Sequence, residues 1–171
     1  MYTTFDSIPD HARVWVYQAN RPLNESEIEQ TLQHGQQFIA QWAAHGQALR
    51  ASVDVRYHHF LIIALDEQYH AASGCSIDSS VGFVRALETA FGDNKPLNFF
   101  DRTQIAFLES GTVRLLPLIE VKAQLSEGQI APEAQLFNNV VATKADLESR
   151  WLVSVQDSWL ARYLPKVEIG Q

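Results

Sequence analysis

The spacing of apolar positions changes repeatedly along the chain, and each change predicts an element. Arg13 to Ala19 (Arg-Val-Trp-Val-Tyr-Gln-Ala) is rich in β-branched and aromatic residues. Bounded by Pro9 and by Asn20-Arg21-Pro22, it reads as a first strand. Asn24 follows, with Glu27 three residues on as its capping-box partner, and Glu25, Glu27 and Glu29 suit the positive end of a helix. Ile28, Leu32, Ile39 and Trp42 recur at helical spacing, and Gly46 ends that element. Val53, Val55 and Tyr57 alternate with Asp54 and Arg56, giving a half-exposed second strand. Phe60 to Leu65 is apolar throughout, a third strand, which places His58-His59 at a tight hairpin turn.

Ser73 to Ser80 (Ser-Gly-Cys-Ser-Ile-Asp-Ser-Ser) breaks the pattern as a small, polar loop. Beyond it Val81, Val84, Leu87 and Phe91 mark a second helix stopped by Gly92. Thr103 to Leu108 reads as a fourth strand, with Ser110-Gly111 turning into Val113 to Leu116. The order is βαββαβ, the ferredoxin-like pattern, within an α+β class. A C-terminal strand and helices extend it: a short helix from Pro117 to Leu125 closed by Gly128, a strand over Leu136 to Ala142, and a helix capped by Thr143 and Asp146 that carries Leu147 and Trp151. Asp157 starts a last helical turn before Pro165. The expectation is one domain over residues 1–171, with a core at about 10–116 and an extension at about 117–171.

Composition narrows the classes of function. Of the 171 residues 46% are hydrophobic and 19% charged, which is ordinary globular usage. The net charge is −7 and the thirteen Lys and Arg are scattered, so there is no basic stripe to neutralise phosphates. Nucleic acid and anionic membrane surfaces are therefore not expected partners. The single Cys cannot form an internal disulfide. The first residues lack the basic and apolar regions of a signal peptide, and no apolar run approaches a membrane span, so a cytoplasmic protein is expected.

Two segments invite an ATPase assignment. Phe60 to Glu67 resembles a Walker B strand ending in two carboxylates, and Leu125-Ser-Glu-Gly-Gln129 resembles the signature peptide of ABC transporter ATPases. Phosphate binding in those enzymes needs a glycine-rich loop with Gly-Lys, and none of the eight glycines precedes a lysine. The signature also falls after the Walker-like strand instead of before it, and closes a helix instead of opening one.

Several phrases together carry a family resemblance: Asp10-His-Ala-Arg-Val-Trp15, Ala44-His-Gly46, Ala72-Ser-Gly-Cys-Ser-Ile-Asp78, Phe137-Asn-Asn139 and Asp157-Ser-Trp159. The chain resembles, over essentially its whole length, a family of short uncharacterised proteins from Bacteroidetes bacteria often labelled "ABC transporter ATPase". The resemblance implies a bacterial, cytoplasmic protein and no established activity. Relatives tend to read Glu-Ser-Trp-His near the C-terminus. Leu160 follows Trp159 here, so no histidine stands at that point.

The remaining candidates each have a structural alternative. Ser73, Gly74, Cys75, Ser76 and Asp78 at a helix start, with Arg13 from the first strand's mouth, would suit a small anionic ligand. Asp10 and His11 lie at that mouth too. Cys75 with His70 and the Asp66-Glu67 pair would suit thiolate chemistry. The alternative for all of them is a capping loop with a packed thiol. The six histidines lack ligand spacing; His34 and His45 are roughly 16 Å apart along one helix, so no metal and no cofactor are expected. Asn138-Asn139 suits a turn, and the four tryptophans suit a core. A small-ligand or anion-binding domain using the 73–80 segment is the first expectation. A protein-interaction or oligomerisation module, as a homodimer for example, is the alternative, and a cysteine-dependent enzyme comes third.

Overall fold

The computed structural model describes residues 1–93 and 95–167. It is a mixed α+β structure with four α-helices and antiparallel sheets, divided into two compact units. The first is Met1–Asp101 with Asn139–Ser149, and the second is Arg102–Asn138 with Arg150–Gln171.

In the first unit, β1 (Arg13–Gln18), β4 (Ala51–Arg56) and β5 (Phe60–Leu65) form a three-stranded antiparallel sheet in the order β1-β5-β4. All six residues of β5 are buried, as its unbroken apolar run requires. Alternation sends Leu61, Ile63 and Leu65 to one face and Phe60, Ile62 and Ala64 to the other. The first face packs with Val53, Val84 and Leu87 beneath α1 (Glu25–Gln41) and α2 (Gly74–Phe91). Across the second, Arg56 reaches Glu148 on α4 (Lys144–Arg150) at 2.9 Å and lies over the Phe5 ring. Lys144 is itself buried, donating through Nζ to the carbonyls of Asp6 and Ile8 at 3.2 and 2.8 Å.

The capping box at Asn24 and Glu27 forms as expected, with both reciprocal bonds present. The helix nonetheless stops at Gln41, short of Gly46. Trp42 caps it, and Ala43–Ala44 (β2) pairs with Gln47–Ala48 (β3) through a tight turn at His45 and Gly46, both at positive φ. Between β4 and β5 the turn is Tyr57-His58, with φ of 52° and 58°. The neighbouring chain clamps that turn: the amides of Leu23 and Ala19 donate to His58 and His59 carbonyls at 2.7 Å each. His59 has already turned inward and is buried.

The α+β expectation is met, but the strand order does not confirm a ferredoxin-like sheet. A complete βαββαβ sheet would set the fourth predicted strand beside β1. That strand, β6 (Gln104–Glu109), lies instead in a second sheet of order β7-β6-β8-β9, with β7 (Thr112–Pro117), β8 (Gln135–Phe137) and β9 (Leu152–Ser154). The open edge of β1 is met by a short stretch. Val14 donates to Ala142 at 3.0 Å and Lys144 to Ala12 at 2.9 Å, around an Arg13–Thr143 bridge. The strand expected over Leu136 to Ala142 is thus cut short at Phe137. In the second unit, α3 (Leu118–Ser126) and 3-10 turns at Val155–Asp157 and Trp159–Tyr163 join Phe107, Leu116 and Leu136 in one core, with Val121, Leu125, Val155 and Leu160. No helix among the described residues is long and apolar enough to cross a membrane.

Two consequences are measurable. A Cβ on Gly35 would stand 2.6 Å from Val53 Cγ1, and Val is stiff at χ1, so α1 cannot approach β4 this closely with any other residue. Gly35→Ala should cost about 1–3 kcal/mol in urea unfolding, the overpacking range, and Val53→Ala should recover part of it in the double variant. Burial holds the His59 ring below its ordinary value of 6.5, reinforced by the neighbouring His58 and opposed by the Tyr57 carbonyl. The unfolded chain therefore takes up the proton first, and this group's stabilisation fades as pH falls below about 6.5, with a slope no steeper than about 1.4 kcal/mol per pH unit. Comparing urea midpoints at pH 7.5 and 5.5 should show a smaller loss in His59→Gln than in the wild type.

Candidate functional site

Ser73 to Ser80 is a helix start, not a loop that precedes one. Ser73 is the N-cap of α2 and Gly74 is already helical, so the element begins seven residues before the apolar period reveals it. The cap is a reciprocal pair of serines. Ser73 Oγ accepts from the Ser76 amide at 3.1 Å, and Ser76 Oγ accepts from the Ser73 amide at 2.7 Å. The Ser76 hydroxyl then donates to the Ser73 carbonyl, and those of Ser79 and Ser80 donate back to helix carbonyls at 2.8 and 2.7 Å. Ile77 N–H is bonded to the Ser73 carbonyl. Only the exposed amides of Gly74 and Cys75 remain for a ligand, and the exposed Asp78 carboxylate one turn on is a like charge for any anion.

Arg13 and His70, expected to join this segment, are held by other partners. Arg13 is engaged by Glu67 at 3.5 Å and stacks 4.6 Å from the Trp15 ring. His70 packs edge-on against Tyr69, and no hydrogen bond joins it to Cys75 among the described residues. Cys75 itself is exposed and unpaired. The proposed thiol–base pair is not assembled, and the geometry gives no nucleophile held by a base.

A charged cluster that sequence spacing does not show sits where β1 begins and β5 ends. Asp66 is buried, and its Oδ1 lies 3.1 Å from His11 Nε2 and 3.2 Å from the Gln68 amide, while Arg50 stands 3.7 Å from Oδ2. The bond to Gln68 makes Asp66 an Asx-turn anchor for the Asp66–His70 bend, and the amides of Tyr69 and His70 bond its carbonyl. The carboxylate that resembles a Walker B acid is therefore consumed in holding a turn, at the end of a strand in an antiparallel sheet. No group of three or more His, Cys, Asp or Glu among the described residues is placed to hold a metal ion.

A cavity of about 390 Å³ in the first unit is lined by Arg21, Leu23, Asn24, Glu27, Phe91 and Lys95, among others. Its guanidinium is fully committed. Arg21 holds Glu27 in a bidentate pair at 2.9 Å and also donates to the carbonyls of Pro22, Phe91 and Lys95. These five bonds use every N–H an arginine has. The same contact is the main cause holding the Glu27 carboxyl below its usual range. Arg21 is therefore a structural clamp in the cavity wall, with no N–H of its own to spare for a ligand.

The second unit presents a different kind of surface. Trp159 is 47% exposed although Trp15, Trp42 and Trp151 are buried or half-buried. Its ring meets Tyr163 edge-on at 6.3 Å. Lys122 Nζ stands 5.1 Å and Arg162 Cζ 5.7 Å from the Tyr163 ring. Ile119, 79% exposed, is one turn before Lys122 on α3. Sequence periodicity assigned all four tryptophans to the core; exposure of one depends on what packs over it, which periodicity does not encode. No family model, no curated protein and no solved structure matches the chain.

If the serines serve the helix and not a ligand, their replacement should register in stability alone. Ser73→Ala should lower stability by about 1 kcal/mol, the usual worth of an N-cap, whereas Cys75→Ser should stay within about 0.5 kcal/mol of the wild type in chemical denaturation.

Proposed function

We propose that the protein is an interaction module that binds another polypeptide through the Trp159 surface of its second unit. The observation that carries this reading is a half-exposed tryptophan edge-on to a second aromatic ring, Tyr163, which has two cations beside it. Tryptophan, tyrosine and arginine are the residues on which binding energy concentrates at protein interfaces. Holding Trp159 against Tyr163 on a short 3-10 turn fixes its orientation before a partner arrives, so little entropy remains to be lost on binding. The candidates elsewhere are spent on the fold: the serines on a cap, Asp66 on a turn, Arg21 on a clamp. Membership of the Bacteroidetes family is part of the same proposal, supported by the five sequence phrases. Within the first unit, β1, α1, β4, β5 and α2 are the portion to which a ferredoxin-like description applies.

The test is selection of random 12-residue peptides displayed on phage, with the full chain as bait. Retained peptides should bind the wild type and lose at least about tenfold in affinity for Trp159→Ala, the scale of an interface hot spot. Circular dichroism should show both proteins equally folded. Peptides that bind Trp159→Ala as well as the wild type would remove the reading.

A further inference from the structure

Resting on that reading, we infer that the partner segment is acidic and carries an apolar side chain beside its carboxylates. Lys122 Nζ and Arg162 Cζ both stand near the Tyr163 ring, at 5.1 and 5.7 Å, and neither is within ion-pair distance of a carboxylate among the described residues. Local acids do not neutralise them. Asp157 is occupied by the Ser154 hydroxyl at 2.8 Å. Glu120 follows Ile119 by one residue, about 100° round the helix, whereas Lys122 returns to the Ile119 side. The surface thus offers the Trp159 and Tyr163 rings to an apolar group and two positive charges beside them.

Three occupants compete for such a surface, and charge separates them. A second copy joined by a two-fold axis would set the same patch against itself, cation facing cation. An anionic bilayer would gain about 1 kcal/mol from each of the two cations, but a plane meets the whole protein, whose net charge is −7. An acidic peptide touches only the patch. Charges elsewhere on the protein are screened beyond about 8 Å at physiological salt, so the two local cations decide the contact.

The peptide selection supplies the probes. Clones retained by the wild type should be enriched in Asp and Glu beside a Leu, Phe or Trp. A fluorescein-labelled synthetic version should lose about tenfold or more in affinity, read by anisotropy, when its acids become Gln, consistent with charge-assisted contacts. The double variant Lys122→Glu with Arg162→Glu should reverse the preference, binding a Lys-flanked peptide more tightly than the Glu-flanked one. That reversal requires a folded surface and so separates loss of charge from loss of structure. Clones bound through Trp159 without acid enrichment, or with equal affinity after Glu→Gln, would overturn the acidic partner and leave the interaction module standing. Trp159-dependent dimers in sedimentation, or co-sedimentation with phosphatidylserine vesicles in preference to peptide, would overturn it in favour of those occupants. Absence of any Trp159-dependent association would remove both readings.

Discussion

Burial of β5 on both faces and along both edges is the constraint from which the first unit follows. A strand with no polar side chain can lie only where each neighbour supplies apolar surface or backbone partners. β1 and β4 pair with its two edges, α1 and α2 cover one face, and the Phe5 turn with α4 covers the other. The polar apparatus then collects at the strand's two ends. Asp66 anchors the bend after β5, and the strained Tyr57-His58 turn precedes it, held by amides from Ala19 and Leu23. Residues of unusual chemistry in this unit are explained by proximity to that strand, without invoking a ligand.

Arg21 shows the same economy. A guanidinium that makes five bonds, two to one carboxylate and three to carbonyls, pins the segment after β1 to the first turn of α1 and the end of α2. Lysine has three donors on a point charge and cannot reproduce that fork. The cavity beside it is the space left round a rigid joint.

Local chemistry made much of this architecture visible in the chain. Asn24 and Glu27, three residues apart, specify their helix start by themselves, and the unbroken apolar run of β5 needs no context to be read as a buried strand. The start of α2 is obscured because glycine and serine are weak helix formers and its buried positions there include Ser76 and Ser80, so no apolar period announces it. What stayed hidden was long-range. His11 meets Asp66 across 55 residues, and the sheet that β6 joins is set by partners as distant as β9. Trp159 follows an apolar period like its fellows; its exposure depends on which of the described residues pack over it, which leaves no trace in local spacing.

The route of the chain between the two units has a consequence for biosynthesis. The chain crosses from the first unit to the second after Asp101, returns at Asn139 and leaves again after Ser149. Domains fold as units in the order in which they emerge from the ribosome, and here the earliest-made sheet waits for Ala142 to Lys144 to close its β1 edge. Until then the nascent chain exposes an unpaired strand and the apolar face that Leu147 and Lys144 will cover. Completion of the first unit is therefore tied to a segment made only after Arg102–Asn138 of the second, and a product truncated before Ala142 would present an unfinished edge to the cell's quality-control machinery.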